Sequence, residues 1–260
     1  MKRNIFSYAT SELSQDAFIG WLMSYGNEEG KKIDRTIYEC AHTMLMKFYP
    51  KDKMPKKAEV KEVLMQKNKV DVTLYVEDDF GSAVFIIEDK TRSIQGEEQL
   101  ETYYKKAVEE YTEKRVYGIY FKSFLQGNIH TIINSEFKPF LLYNIVETLQ
   151  ETIPTLNYLE GKYGIGNILY DYCEHYYDLY EKMRKYSQID VSQWDEEQIV
   201  AFMYEMCKNP ESAYDFGELN NGHGNFWGLW EKDEDRIIMD ELEELKESKE
   251  EKTVCTTIYT

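Results

Sequence analysis

An apolar run about a third of the way along the chain ends in two acids and a lysine. The segment is AVFIIEDK, residues 83–90. A turn after a buried strand normally uses Gly, Asn or Pro, so charges inside the strand need another reason. Because side chains alternate between the two faces of a strand, Glu88 and Lys90 share one face and Asp89 lies on the other. Glu88 and Lys90 therefore form a candidate pair for chemistry.

A third charged residue, Asp71, lies in the preceding predicted strand, VDVTLYV. A hairpin that pairs Val76 with Ala83 places Asp71 opposite Glu88. Two carboxylates at that distance repel, and one takes up a proton unless a divalent cation holds both. Mg²⁺ or Mn²⁺ suits such a pair because it accepts carboxylate oxygens and leaves positions for water and phosphate.

Lys90 beside such an ion could neutralise charge that develops on a phosphate during hydrolysis. The alternative is a plain salt bridge between Asp71 and Lys90, with Glu88 in solvent. Spacing alone leaves both interpretations open.

The elements that must position these residues follow from hydrophobic periodicity. Helical spacing predicts helices over 13–25 and 33–49, and alternation predicts strands over 60–66, 70–76 and 83–90. A helix over 97–114 and strands over 116–121 and 128–134 follow. This order predicts an α/β fold with a mixed β-sheet core flanked by helices.

The second half of the chain is predicted to be mainly helical. Helices are expected over 136–151, 166–186 and 195–208, and a β-hairpin around 220–224. We expect three regions: a core at 1–134, a helical region with the hairpin at 135–230 packed on that core, and an acidic charged tail at 231–260.

Charge is unevenly distributed along the chain. The formal net charge is −17. The segment from Lys47 to Lys69 nevertheless contains eight lysines and only three acids, whereas residues 231–252 contain eleven acids and five bases. Phosphate binding is driven by lysine and arginine, so one basic face could bind a polyanion although the whole chain is acidic. The lysines expected to contact nucleic acid are Lys53, Lys56, Lys57, Lys67 and Lys69. A solvated lysine-rich loop is the alternative.

Together, Val70–Asp71, the segment IIEDK and the helix segment QLETY at 99–103 resemble the PD-(D/E)xK nuclease superfamily, in its bacterial branch with a Q-x-x-x-Y motif similar to RecB-type nucleases. The N-terminal segment FSYATSELSQDAFIGWL also resembles that group. The resemblance covers about the first half of the chain, and Val70 stands where the name motif has Pro.

The resemblance implies a restriction-endonuclease-like core. It also implies that Asp71 and Glu88 bind Mg²⁺ or Mn²⁺ with the backbone carbonyl of Asp89, and that Lys90 is catalytic. Gln99 and Tyr103 would border the site, and Glu12 on the first helix would be an additional acid directed at the metal.

We therefore expect a metal-dependent hydrolase that cleaves DNA, with RNA not excluded, in a setting of defence or DNA repair. The alternatives are a non-catalytic nucleic-acid or protein binding module on the same fold and an acidic interaction protein. The N-terminus has no signal-peptide pattern and the chain has no apolar run of membrane length, so a cytoplasmic protein without membrane contact is expected.

Overall fold

The computed structural model describes residues 4–9, 11–91, 97–127, 132, 136–209, 212–220 and 225–231. Its centre is a five-stranded mixed sheet in the order β1-β2-β3-β4-β5. The strands are β1 (Ala58–Lys67), β2 (Val70–Asp78), β3 (Gly81–Lys90), β4 (Arg115–Lys122) and β5 (Phe137–Leu141). The first three strands form an antiparallel meander, and β3, β4 and β5 are parallel. The predicted α/β class with a mixed sheet is confirmed.

Helices cover both faces of this sheet. They are α1 (Glu12–Ser24), α2 (Glu28–Ile33), α3 (Arg35–Phe48) and the crossover helix α4 (Glu97–Glu110). On one face, Val84 and Ile86 of β3 pack with Leu100 and Ala107 of α4. On the other face, Phe85 lies against aromatic side chains at the end of α3, and α1 contacts the first three strands. β3 is therefore buried on both sides, which explains its continuous apolar run.

The helix expected over 33–49 is confirmed as α3. The short helix α2 that precedes it was not predicted, and Asp34, whose backbone is extended, separates the two. The Asp34 carboxylate accepts hydrogen bonds from the backbone N–H groups of Thr36 and Ile37 at 2.9 and 3.1 Å. This N-cap stabilises the start of α3, so α3 begins as a new helix after α2.

The helix expected over 136–151 also begins later. Residues 137–141 form β5, and α5 (Leu142–Thr152) follows directly. β5 pairs in parallel with β4, and Gly118 opposes Phe137. A Cβ atom at Gly118 would lie 2.8 Å from the Phe137 ring, so the missing side chain makes room for that ring in the sheet. The strand expected over 128–134 lies outside the described residues except for Ile132, which is helical.

The remaining elements are α6 (Leu156–Tyr163), α7 (Ile168–Arg184), α8 (Glu196–Cys207) and a hairpin of β6 (Tyr214–Asn220) and β7 (Asn225–Glu231). The helices expected over 166–186 and 195–208 and the hairpin are confirmed. The expected acidic tail lies outside the described residues from position 232 onward.

Backbone contacts divide the chain into two units. The first comprises residues 1–124 and 130–178, which include the sheet and α1 to α6; the second comprises residues 125–129 and 179–260. Among the described helices, none combines the length and the apolar composition that crossing a bilayer requires.

Candidate functional site

The hairpin register brings Asp71 and Glu88 together as the sequence predicts. Val76 pairs with Ala83 and Val72 with Ile87, and the same register continued by one residue aligns Asp71 with Glu88. One carboxylate oxygen of Asp71, Oδ2, accepts a hydrogen bond of 2.9 Å from the backbone N–H of Asp89. Asp71 is thereby fixed to the end of β3.

Lys90 lies at the centre of the site. Its Nζ atom is 3.0 Å from Glu88 Oε1, 3.7 Å from Glu12 Oε2 and 4.0 Å from Asp71 Oδ2. It also donates to the backbone carbonyl of Asp89 at 2.8 Å. Burial lowers the pKa of this lysine, but the surrounding carboxylates outweigh burial and raise it above its ordinary value. The lysine therefore remains a cation at neutral pH.

Glu88 is buried and only partly hydrogen-bonded. Its side chain is 4 % exposed, and Oε2 has no hydrogen-bond partner within the described part of the chain. Burial and, next, the charge of Asp71 raise the pKa of Glu88 to about 7, while Lys90 acts in the opposite direction. The alternative of a salt bridge between Asp71 and Lys90 with Glu88 in solvent is wrong, because Glu88 is the buried, closer partner.

A second pair of carboxyl groups, Asp16 on α1 and Asp89 on β3, lies next to this site and was not predicted from the sequence. Both are almost fully buried, and neither oxygen of Asp89 has a hydrogen-bond donor among the described residues. Burial, then Asp16 and Asp71, raise the pKa of Asp89 well above its usual range; burial and Asp71 raise the pKa of Asp16 to about 6. Both shifts favour the protonated form of the carboxyl groups in this pair.

The sequence contained one signal for Asp16. It follows Glu12 by four residues, a spacing that places two helical side chains on one face, and Glu12 was already a candidate. Glu12 itself lies in the first turn of α1 and contacts Lys90.

Gln66 is the second site residue that sequence reasoning missed. Its side-chain amide donates to Asp16 Oδ2 at 3.0 Å and to Asp71 Oδ1 at 3.1 Å. Asp71 therefore has a donor on each oxygen, Gln66 on one and the Asp89 N–H on the other. Only the pairing of β1 with β2, in which Lys67 opposes Val70, could have indicated that Gln66 lies beside Asp71.

Gln99 and Tyr103 lie one helical turn apart on α4, and the Gln99 amide donates to the Tyr103 hydroxyl. Tyr103 is buried against Val70 and Ile86, which are neighbours of Asp71 and Glu88 in their strands. The Q-x-x-x-Y pair is thus placed on the face of the sheet that carries Glu88 and Lys90.

The five candidate nucleic-acid lysines fall into two groups. Three of them, Lys53, Lys56 and Lys57, precede the first residue of β1. At ~3.3 Å per residue, β1 is about 30 Å long, so these lysines lie about that far from the end of β1 beside Asp71. The backbone N–H groups of Lys56 and Lys57 donate hydrogen bonds to Asp79. Lys67 and Lys69 lie at the end next to Asp71. Proximity therefore favours Lys67 and Lys69 as contacts for a chain that enters the site.

Lys67 has several partners of its own. Its Nζ atom is 2.9 Å from Glu110 Oε1 and from the hydroxyl groups of Tyr75 and Tyr111. The lysine is held against α4 with its charge facing the same side of the sheet as Lys90.

No cluster of three or more His, Cys, Asp or Glu side chains arranged to hold a metal ion occurs within the described ranges. The carboxylates of Asp71, Glu88 and Glu12, each with an oxygen within 4.0 Å of Lys90 Nζ, are the candidate donors for a cation. The Asp89 carbonyl, which the resemblance assigns as a ligand, accepts a hydrogen bond from Lys90, and the Asp89 side chain belongs to the pair with Asp16.

Comparison of the chain with protein-family models, with curated proteins and with solved structures finds no match.

Proposed function

We propose that the protein is a metal-dependent nuclease that hydrolyses phosphodiester bonds of DNA, built on a restriction-endonuclease-like core. The observation that carries the proposal is the convergence of Asp71, Glu88 and Lys90 at the ends of β2 and β3, with a buried Glu88 oxygen that has no donor among the described residues. The order of elements around them, helix, three-stranded meander, crossover helix and parallel strand, supports the proposed core.

The donor set fits a small divalent cation. A buried carboxylate oxygen without a donor is costly, and a cation shared with Asp71 would satisfy it and remove the repulsion between the two acids. Mg²⁺ or Mn²⁺ held by these carboxylates would supply Lewis-acid polarisation of a phosphodiester and lower the pKa of an attacking water.

The chain's own residues would do the rest. Lys90, kept protonated by its acidic neighbours, would stabilise negative charge that develops on the phosphate. Gln99 and Tyr103 would help to position the substrate backbone along α4, and Lys67 and Lys69 would contact its phosphates beside the site.

A non-catalytic binding module is the rival function. A module that only grips a nucleic acid has no use for clustered buried acids whose charges repel phosphate, since nucleic-acid affinity comes from lysine and arginine. The raised pKa of Glu88 and its buried oxygen without a donor therefore favour catalysis, because perturbed carboxyl groups concentrate at reactive sites.

The test is cleavage of labelled single-stranded DNA, linear duplex DNA, circular duplex DNA and RNA in Mg²⁺, Mn²⁺ or EDTA. Wild-type protein should cleave DNA only with a divalent cation, and Lys90→Met should lose at least about 100-fold in rate. Lys162→Met is the matched control, because Lys162 also pairs with an acid, Asp34 at 3.2 Å, but lies on α6.

The circular substrate separates endonuclease from exonuclease action, and the RNA arm tests the sugar preference. Absence of cleavage of every substrate by the wild-type protein would refute the proposal and favour the binding module. Equal activity of Lys90→Met and Lys162→Met would refute the role of Lys90.

A further inference from the structure

Gln66 connects the two acidic clusters of the site. Its amide nitrogen lies 3.0 Å from Asp16 Oδ2 and 3.1 Å from Asp71 Oδ1. An amide NH₂ group has two donors, one for each carboxylate. The side chain therefore joins α1, β1 and β2 at the point where the candidate cation ligand Asp71 begins its strand.

The backbone at Gln66 adopts a conformation that its residue type disfavours. Its φ angle is +53°, in the left-handed region that costs a residue with a side chain free energy relative to glycine. The side chain is also exposed, so packing does not require glutamine here. The feature that distinguishes this side chain is its pair of hydrogen bonds to the acids.

We propose that Gln66 is a positioning residue that orients the Asp71 carboxylate for cation binding and separates its charge from that of Asp16. This inference rests on the proposed function for the role of the cation. Asp71 receives the Gln66 amide on Oδ1 and the Asp89 N–H on Oδ2, an arrangement that fixes the plane of the carboxylate. Removal of the amide leaves one donor and brings two acids into unrelieved repulsion.

The test uses two variants that both remove the side-chain amide but differ in their effect on the backbone. Gln66→Gly relieves the left-handed backbone, and Gln66→Met keeps the side-chain length and the backbone conformation. Asn68→Gly is the matched control, because Asn68 has a φ angle of +55° in the same turn and its side chain bonds Glu110 instead.

The first readout is Mn²⁺ binding in the absence of nucleic acid, followed by electron paramagnetic resonance of free Mn²⁺. Both Gln66 variants should bind Mn²⁺ about tenfold more weakly than wild type, the usual effect of losing a partner of a ligand, and Asn68→Gly should bind normally. The Tm of Gln66→Gly should equal or exceed that of wild type. If the Tm of Gln66→Gly is lower than that of wild type, the Mn²⁺ affinity of Gln66→Met decides the test.

The second readout is cleavage at saturating Mg²⁺. Here kcat should fall about 10-fold or more while KM for DNA changes less than about twofold, since Gln66 acts through Asp71 and not on the substrate. A structural role alone would lower Tm without this division between kcat and KM.

The outcomes separate this inference from the nuclease proposal. If the wild type cleaves DNA and either folded Gln66 variant binds Mn²⁺ and cleaves as wild type does, the positioning role is refuted and the nuclease stands. If the wild type cleaves nothing but both variants lose Mn²⁺ affinity, the positioning role stands and the nuclease proposal fails. A wild-type protein that binds no Mn²⁺ overturns both.

Discussion

Replacement of Glu88 by glutamine should stabilise the protein at alkaline pH when divalent cations are absent. Burial and the neighbouring Asp71 raise the pKa of Glu88 from 4.5 to about 7. An acid with a raised pKa binds its proton more tightly in the folded state, so stability falls as pH rises from about 4.5 to about 7 and stays lower above it. The glutamine side chain has no proton to lose in this range, so the Glu88→Gln variant avoids this loss.

The magnitude follows from the two pKa values. With 4.5 in the unfolded chain and about 7 in the folded one, ionisation of Glu88 reduces the free energy of unfolding by about 1 kcal/mol at pH 5 and about 3 kcal/mol at pH 8. The advantage of Glu88→Gln over wild type should therefore grow by about 2 to 3 kcal/mol between these pH values. At ~2–4 °C per kcal/mol this is about 5–10 °C in Tm.

The assay is thermal denaturation in EDTA at both pH values, with Glu62→Gln on β1 as the control for an exposed acid. Exposed substitutions change stability by less than about 0.5 kcal/mol, so the control should show no comparable trend. Mg²⁺ should raise the Tm of wild type at pH 8 and leave Glu88→Gln unchanged. A Glu88→Gln protein less stable than wild type by the same amount at both pH values would refute the reasoning.

Two further predictions concern the scaffold. Asp78→Asn should lower the free energy of unfolding by about 3 kcal/mol at pH 7, because Arg115 lies 2.6 Å from the carboxylate. Burial raises the pKa of Asp78, but the bond to Arg115 and the other hydrogen bonds outweigh burial and hold this pKa below 3.8. The difference between Asp78→Asn and wild type should therefore shrink as pH falls below 3.8, and urea denaturation at pH 7 and pH 3 would test this. Gly30→Ala should lower the free energy of unfolding, measured by urea denaturation, by at least about 2 kcal/mol, because the added Cβ would lie 2.4 Å from the backbone of Tyr25. Gly161→Ala is the control: it has open space around it and should raise the free energy of unfolding by up to about 1 kcal/mol. Equal effects of the two substitutions would contradict the predicted clash.

The meander and the β2–β3 register were predictable because β2 carries a two-residue pattern, β3 is a continuous apolar run, and the turns between the strands are short. Once Val76 pairs with Ala83, all the remaining pairs of the β2–β3 hairpin are fixed by the same register. The start of β5 was not predictable in the same way, because FKPFL reads as the beginning of an apolar helix. Its strand conformation depends on a neighbour distant in sequence, Gly118 of β4, whose missing side chain accommodates Phe137.

In the candidate site, too, the residues related by local sequence pattern were predictable, and those brought in by tertiary packing were not. Asp71, Glu88 and Lys90 could be found because alternation and a single hairpin register relate them. The positions of Asp16 and Gln66 in the site could not be predicted from the sequence. Asp16 reaches the site because α1 packs on the strands. Gln66 reaches it because its backbone is left-handed at the end of β1.

These two residues change what the site requires. The charges of Asp71 and Glu88 would be balanced by a divalent cation, but Asp16 and Asp89 add a second buried acid pair, in which burial and the neighbouring carboxylates raise both pKa values. The Gln66 amide then separates Asp16 from Asp71 without adding charge. The raised pKa values favour the protonated forms of Asp16 and Asp89, which would reduce the repulsion between this pair and a substrate phosphate beside a cation held by Asp71 and Glu88.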